Sequence, residues 1–189
     1  MPKQLKLKNY FFINNQMQGV LSIQEWLSRL SLHGKDSRFR TRFIKILVDR
    51  VTEVDKERVK MLEECTDKKI VMEDDKEVEK PVYLIFEKDE NGRTVMDDKT
   101  HKPKVKEEVT DIKGSDTYKI SDENMTKFEK MWKEYLDEEL VIDVTPATNE
   151  TIYGVRDLVL NTEEKFAGRM ALLYEEWCVA FEGISKESK

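Results

Sequence analysis

Residues Asp36 to Glu64, DSRFRTRFIKILVDRVTEVDKERVKMLEE, run for roughly eight helical turns without a glycine or proline. Apolar side chains recur at Phe39, Phe43, Leu47, Val51, Val54 and Leu62. Steps of three, four or eight keep them on one stripe of a 3.6-residue period, so the run predicts a long amphipathic helix that organises the fold. It starts strongly basic and finishes acidic. Beside it, no reactive groups stand in a spacing that covalent chemistry would require.

That charge gradient extends to the whole chain of 189 residues. Residues 1 to 50 carry ten Lys or Arg against three acids, a balance of +7, whereas the complete chain carries −6. Such an asymmetry either folds back on itself, basic half against acidic half, or offers a basic patch to an acidic partner. Charged residues (38%) nearly equal apolar ones (39%), so the core is expected to be modest, while 9% aromatics argue against a disordered chain. Length fits one domain, 1–189, with a small subdomain within it.

Ahead of the long helix, LKLKNYFFI at residues 5 to 13 reads as a short strand or the lead-in to a helix. Ser22 and Glu25 have the spacing of a capping box for a helix reaching about Ser31, and Asp36 or Ser37 is expected to cap the long one, which ends near Cys65. From about Ile70 to Ile120 the period becomes extended. PVYLIFE at 81 to 87 and RTVM at 93 to 96, separated by Asp89-Glu-Asn-Gly92, predict an antiparallel hairpin. A further strand is expected at 104–110 or 117–120, with Gly114-Ser115-Asp116 as a turn.

Helical period returns at Ser121 with Met125, Phe128, Trp132, Tyr135 and Leu136. A strand at 140–144 follows, then helices over about 150–160, capped by Asn149, and 163–181, capped by Thr162. The fold class is therefore α+β: a mainly helical body around a long central helix, with an inserted β-rich subdomain at 70–120 that holds a hairpin or small sheet.

The residue types exclude several chemistries. Only His33 and His101 could serve as an imidazole base, and neither lies near a cysteine or a Gly-x-Ser-x-Gly elbow. Two histidines and two cysteines, Cys65 and Cys178, contain no close pair of metal ligands, and the thiols are read as free and buried. No glycine-rich phosphate loop occurs. Asp97-x-Lys99 and Asp111-x-Lys113 resemble the Asp/Glu-x-Lys element of metal-dependent nucleases, but their polar surroundings are unlike the buried strand on which that element sits. No catalytic residue, cofactor or metal site is expected, and no apolar run is long enough to span a membrane. Without a leader-like apolar segment at its start, the chain is expected in the cytoplasm.

What remains is surface. Arg38, Arg42 and Lys45 fall along one face of the long helix with Arg40 on another; together with Tyr83 and Arg93 of the hairpin they form the candidate interaction surface. Such a face can grip phosphates, yet the negative whole-chain charge favours internal ion pairing with Asp137–Glu139 or Glu163–Glu164, and places nucleic acid behind protein as a partner. Mimicry of nucleic acid by the acidic half is a weaker idea.

Three segments, GKDSRFRTRFIK (34–45), LDEELVI (136–142) and ALLYEEWCVAFE (171–182), resemble a family of uncharacterised proteins encoded by tailed phages and prophages of Gram-positive bacteria. The likeness covers most of the chain in patches and is least at 70–120. It implies a small non-enzymatic phage product in the bacterial cytoplasm, acting by contact with a phage structural or host protein: an accessory or assembly factor first, an inhibitor of a bacterial defence or DNA-processing protein second. A metal-dependent nuclease is the alternative of a different class.

Overall fold

A computed structural model describes residues 3–15 and 19–184. The fold is α+β: five α-helices and a short 3-10 helix, with small antiparallel sheets, among the described residues. Two compact units result, one formed by residues 1–56 and 134–189, the other by residues 57–133. The second is wider than the 70–120 segment expected to be inserted, because it includes the last turns of one helix and most of another.

In the first unit, β1 (Gln4–Lys8) leads through a single 3-10 turn, Asn9–Phe12, towards α1 (Ile23–Arg29). The long helix α2 (Gly34–Cys65) begins here, and the chain returns as β7 (Glu139–Asp143), α4 (Asn149–Leu160) and α5 (Gly168–Glu182). β1 and β7 pair antiparallel, Gln4 opposite Asp143 and Lys8 opposite Glu139. Period-2 alternation directs Leu5, Leu7 and Ile142 inward. Phe39, Phe43, Leu47 and Val54 of the predicted α2 stripe are buried with them, as are Ile152, Val155 and Val159 of α4 and Met170, Leu173, Trp177 and Phe181 of α5. Val51 and Leu62 are only half-buried. An aromatic group lies in this core: the Trp26 ring is 5.5 Å from Trp177, and Phe166 stacks on Tyr174 at 4.4 Å.

The expected caps are corrected. Ser22 precedes α1 but makes no side-chain cap; its hydroxyl and its N–H both donate to Asn14 Oδ1 (2.9 and 2.8 Å), and Glu25 instead accepts from Arg29. α2 starts at Gly34, which puts Asp36 inside the first turn, where its charge suits the positive end of the helix. Thr148, not Asn149, precedes α4, and α5 begins only at Gly168, so neither Thr162 nor Phe166 belongs to it.

The second unit holds the end of α2, then β2 (Lys68–Glu73), β3 (Lys76–Pro81), β4 (Tyr83–Phe86), β5 (Val105–Val109), β6 (Thr117–Tyr118) and residues 122–133 of α3 (Asp122–Leu136). β2 and β3 form an antiparallel hairpin that adds to the one expected at 81–96. Its turn is Asp74-Asp75, both at positive φ (47° and 61°), the two-residue geometry whose twist matches antiparallel strands. β4 pairs with β5 on one side and β6 on the other, so both proposed further strands form. The expected 81–96 hairpin survives as a narrow extension: Lys88 bridges Thr94, and Asp89 Oδ1 accepts the N–H of Asn91 and of Arg93 around Gly92 (φ 75°). Little is buried in this unit: of its described residues, Cys65, Thr66, Val82 and Tyr83 are.

Candidate interaction surface

Burying Phe39, Phe43 and Leu47 forces the side chains at 38, 42 and 45 onto the opposite flank of α2, spread over about 10 Å of helix. All three are exposed. None of them has a hydrogen bond or ion pair among the described residues. Lys35 lies one turn earlier, pairs with Glu150 Oε1 at 3.2 Å and sits 5.2 Å from the Phe39 ring.

Internal docking of cation on acid does occur, through other residues than those expected. Lys8 takes Asp137 (3.7 Å), Arg50 takes Glu138 (3.9 Å) and Lys6 takes Glu139 (3.1 Å). Glu164 accepts from Trp26 Nε1 at 2.6 Å. The expectation that Arg38, Arg42 and Lys45 pair with these two acidic clusters is therefore corrected. β1 lies alongside β7 and brings Lys6 and Lys8 to the 137–139 cluster first.

Arg50 anchors a nearby polar network. Its side chain is 14% exposed; Nε donates to Asn9 Oδ1 (2.9 Å), Nη1 to Glu53 (2.7 Å), and the guanidinium lies 5.7 Å from the Tyr135 ring. Asn9, fully buried, donates from Nδ2 to the Tyr135 carbonyl (2.8 Å). Every atom of the Asn9 amide is thereby used, so this arginine is structural.

The remaining candidates separate. Arg40 is half-buried and turned inward: Nη1 donates to the Leu30 carbonyl at 2.7 Å and Nη2 to Ser37 Oγ at 3.3 Å, closing the end of α1 onto α2. Tyr83 is a correction, since it is 7% exposed and packs on Tyr118 with ring centroids 5.4 Å apart. An aromatic residue at the first position of a central strand has neighbours on both sides, and burial raises its hydroxyl pKa. Arg93 stays exposed at the tip of the 89–93 turn.

The two nuclease-like triplets hold turns together. Asp97 Oδ1 accepts from the N–H groups of Lys99 (3.0 Å) and Thr100 (2.7 Å) and from the Thr100 hydroxyl (2.9 Å); these bonds, first those of Thr100, hold its carboxyl below the usual range. Asp111 Oδ1 accepts from Lys113 N–H at 2.9 Å. No group of three or more His, Cys, Asp or Glu among the described residues is placed to hold a metal ion. Cys65 is buried and Cys178 half-buried, both free; burial raises the Cys178 thiol pKa, against the hydrogen bond it shares with Tyr174.

Sequence reasoning did not anticipate the cleft between β1 and α5, of about 430 Å³, lined by Lys6, Lys8, Phe11, Glu176, Val179 and Ala180 among others. Of these, Val179 is an exposed apolar residue on α5. No helix of the described residues is long and apolar enough to cross a membrane. No protein-family model matches the chain, and neither a curated protein nor a solved structure matches it.

Proposed function

We propose that this protein is a non-enzymatic interaction protein that binds an acidic surface of another protein through the Arg38–Arg42–Lys45 face of α2. The resemblance of 34–45, 136–142 and 171–182 to phage and prophage proteins makes the setting an infected bacterial cytoplasm, and the role an accessory or assembly factor of the phage programme. The observation that carries the reading is that these three cations are exposed and unpartnered while Lys6, Lys8, Arg40 and Arg50 are each engaged. Glu63 and Glu64 in the last turn of α2 run against the helix dipole at a few tenths of a kcal/mol per charge, whereas Lys35 in the first turn is offset by Asp36.

An acidic protein suits the face better than nucleic acid, because a chain of net charge −6 repels a phosphate backbone outside the patch. The test is affinity purification from infected cells with the tagged wild type and with Arg38→Glu/Arg42→Glu/Lys45→Glu. The expected result is a phage structural or host protein retained by the wild type, lost in the variant and eluted by salt, with the melting temperature unchanged. Retention of the same partner by the variant overturns the reading. Release of that partner by nuclease treatment moves it to a nucleic-acid bridge. Recovery only with a host immune or repair complex moves the role to inhibitor.

A further inference from the structure

The β2–β3 hairpin is a sheet of two, so among the described residues no strand pairs with the outer edge of β2. Its two-residue turn makes Glu73 and Lys76 the closing pair, which exchanges both main-chain hydrogen bonds. Along a strand, N–H and C=O point alternately to one side and the other. Lys69, Val71 and Glu73 thus turn theirs to β3, and Lys68, Ile70 and Met72 turn theirs to the open edge. The parity holds beyond β3, where Val82 N–H donates towards the same side, to the Asp67 carbonyl at 2.8 Å. Every residue of β2 except Val71 is exposed, and Ile70 (63%) and Met72 (65%) lie in water on one face of the hairpin. An open edge that also exposes apolar side chains is a site for strand pairing.

The order of residues selects the occupant. Lys68-Lys69-Ile70-Val71-Met72-Glu73-Asp74 has two cations at one end, two acids at the other and three apolar residues between them. Turned end for end, this strand is its own complement. Antiparallel pairing with a second copy about Val71 sets Lys68 against Asp74, Lys69 against Glu73 and Ile70 against Met72, each twice, and Val71 against itself. Hydrogen bonding agrees with that register: Ile70 and Met72 both aim outward and form the bonded pairs, while Val71 aims inward and falls at a non-bonded position.

Other arrangements fail. A slip of two residues sets Lys69 or Glu73 against Val71, a slip of one sets outward main-chain groups against inward ones, and parallel in-register strands set lysine beside lysine. The opposite edge of the hairpin is guarded. About Val78, β3 would set Glu77 against Glu79 and Lys76 against Lys80, like charges directly opposite each other. Lys68 and Glu73 already pair within the hairpin, with Glu79 (3.3 Å) and Lys80, in exposed pairs of small energetic worth. The choice of a second copy therefore rests on the palindromic order of charge and apolarity rather than on free charge, since an unrelated strand fits only by repeating that order.

We propose that two copies of this chain associate through β2, antiparallel about a two-fold axis at Val71, to form one four-stranded sheet in the order β3–β2–β2–β3. The same patch serves both copies. Ile70 and Met72 of each copy then cover Met72 and Ile70 of the other, and a hairpin that is marginal as two strands gains the strands a stable sheet needs. The interface is small, so the dimer is weak and dissociates on dilution. It does not involve the basic face of α2.

Sedimentation velocity of the full chain from about 10 µM to 1 mM is expected to show a reversible monomer–dimer equilibrium, and amide exchange to show the Ile70 and Met72 N–H groups gaining protection as concentration rises. Ile70→Lys/Met72→Lys, at two exposed positions, is expected to weaken association by about tenfold or more, with the melting temperature of the dilute protein unchanged. Lys69→Glu and Glu73→Lys each set like charges opposite in their own dimers and weaken them similarly. An equimolar mixture of these two variants restores opposite charges at both positions and recovers the dimer, which a mere loss of folding does not. Arg38→Glu/Arg42→Glu/Lys45→Glu dimerises as the wild type does. A monomer throughout the range, a dimer indifferent to Ile70→Lys/Met72→Lys, no recovery in the mixture, protection confined to other amides, or a dimer lost with the α2 variant overturns the proposal.

Discussion

Gly154 on α4 faces Phe39 so closely that a Cβ built there would stand 2.0 Å from ring atom Cδ2 and 2.4 Å from Cγ. Helix propensity alone makes Gly→Ala worth about 1 kcal/mol in favour of the alanine. Overpacking a core position costs about 1–3 kcal/mol, and here the whole ring must move, since Cγ is the rigid end of the side chain. With the ring blocked at its rigid end the clash outweighs propensity: Gly154→Ala is expected to lower stability by up to about 2 kcal/mol net in urea unfolding, and Phe39→Leu added to it to recover part of that loss. Asn9 makes the complementary case. Asn9→Ala removes the acceptor of Arg50 Nε and the donor to the Tyr135 carbonyl, leaving buried polar groups unpaired, and about 2–3 kcal/mol is expected to be lost. In the Arg50→Met background the same change should cost clearly less, which a double-mutant cycle measures.

At the scale of elements, the hairpin β2–β3 depends on a turn whose two aspartates both hold positive φ. Asp tolerates that region at a cost that Asn and Gly largely avoid, so Asp74→Asn/Asp75→Gly should stabilise the hairpin by about 1 kcal/mol, seen as roughly fivefold slower amide exchange at Val71 and Val78. Asp75→Val should do the reverse. This turn also shows why part of the fold was hard to read. Asp-Asp between Lys- and Glu-rich strands resembles a solvated loop, and the strands' half-buried pair, Val71 opposite Val78, is too short an apolar signal to outweigh their polar neighbours. The elements that were legible, α2, α3, β7 and α5, each carry an apolar stripe or alternation long enough to show its period, although α3 buries only Tyr135 of its stripe and leaves Met125 exposed. Caps were less legible. The group that holds Ser22 is Asn14, eight residues upstream, a distance no local capping pattern encodes. Of the interaction residues, the helical set 38, 42 and 45 followed from the stripe opposite it, whereas Tyr83 could not be placed before its strand neighbours were known.

For the molecule as a whole, the two units differ in what holds them. The 57–133 unit has a small core and relies on carboxylates that tie chain segments together. Asp67 Oδ1 accepts from Ser121 N–H (3.1 Å) and Asn124 Nδ2 (2.9 Å) at the start of α3; burial opposes ionisation there, but these bonds and Lys119 outweigh it and lower the pKa. Asp116 is lowered by Lys88 and by the Phe86 N–H. A carboxyl depressed in the folded state contributes stability that is complete above the ordinary value of 3.8 and is lost as pH falls through the lower, folded value. Hydrogen exchange between pH 5 and 2.5 should therefore show amides of 57–133 losing protection in the acid range, and Asp67→Asn should be less stable at neutral pH but flatter below pH 4.

The three tryptophans divide between those same units: Trp26 and Trp177 stand ring to ring, 5.5 Å apart and almost fully enclosed, while Trp132 stacks on Phe128 in the other unit. An indole donating to Glu164 beside a second indole is an optical pair, so near-ultraviolet dichroism should be dominated by it and vanish with the aromatic core. A Trp132→Phe protein then emits from the helical unit alone, and a Trp26→Phe/Trp177→Phe protein from the β-rich one. Each half's melting is thereby followed by its own tryptophan emission, one variant at a time.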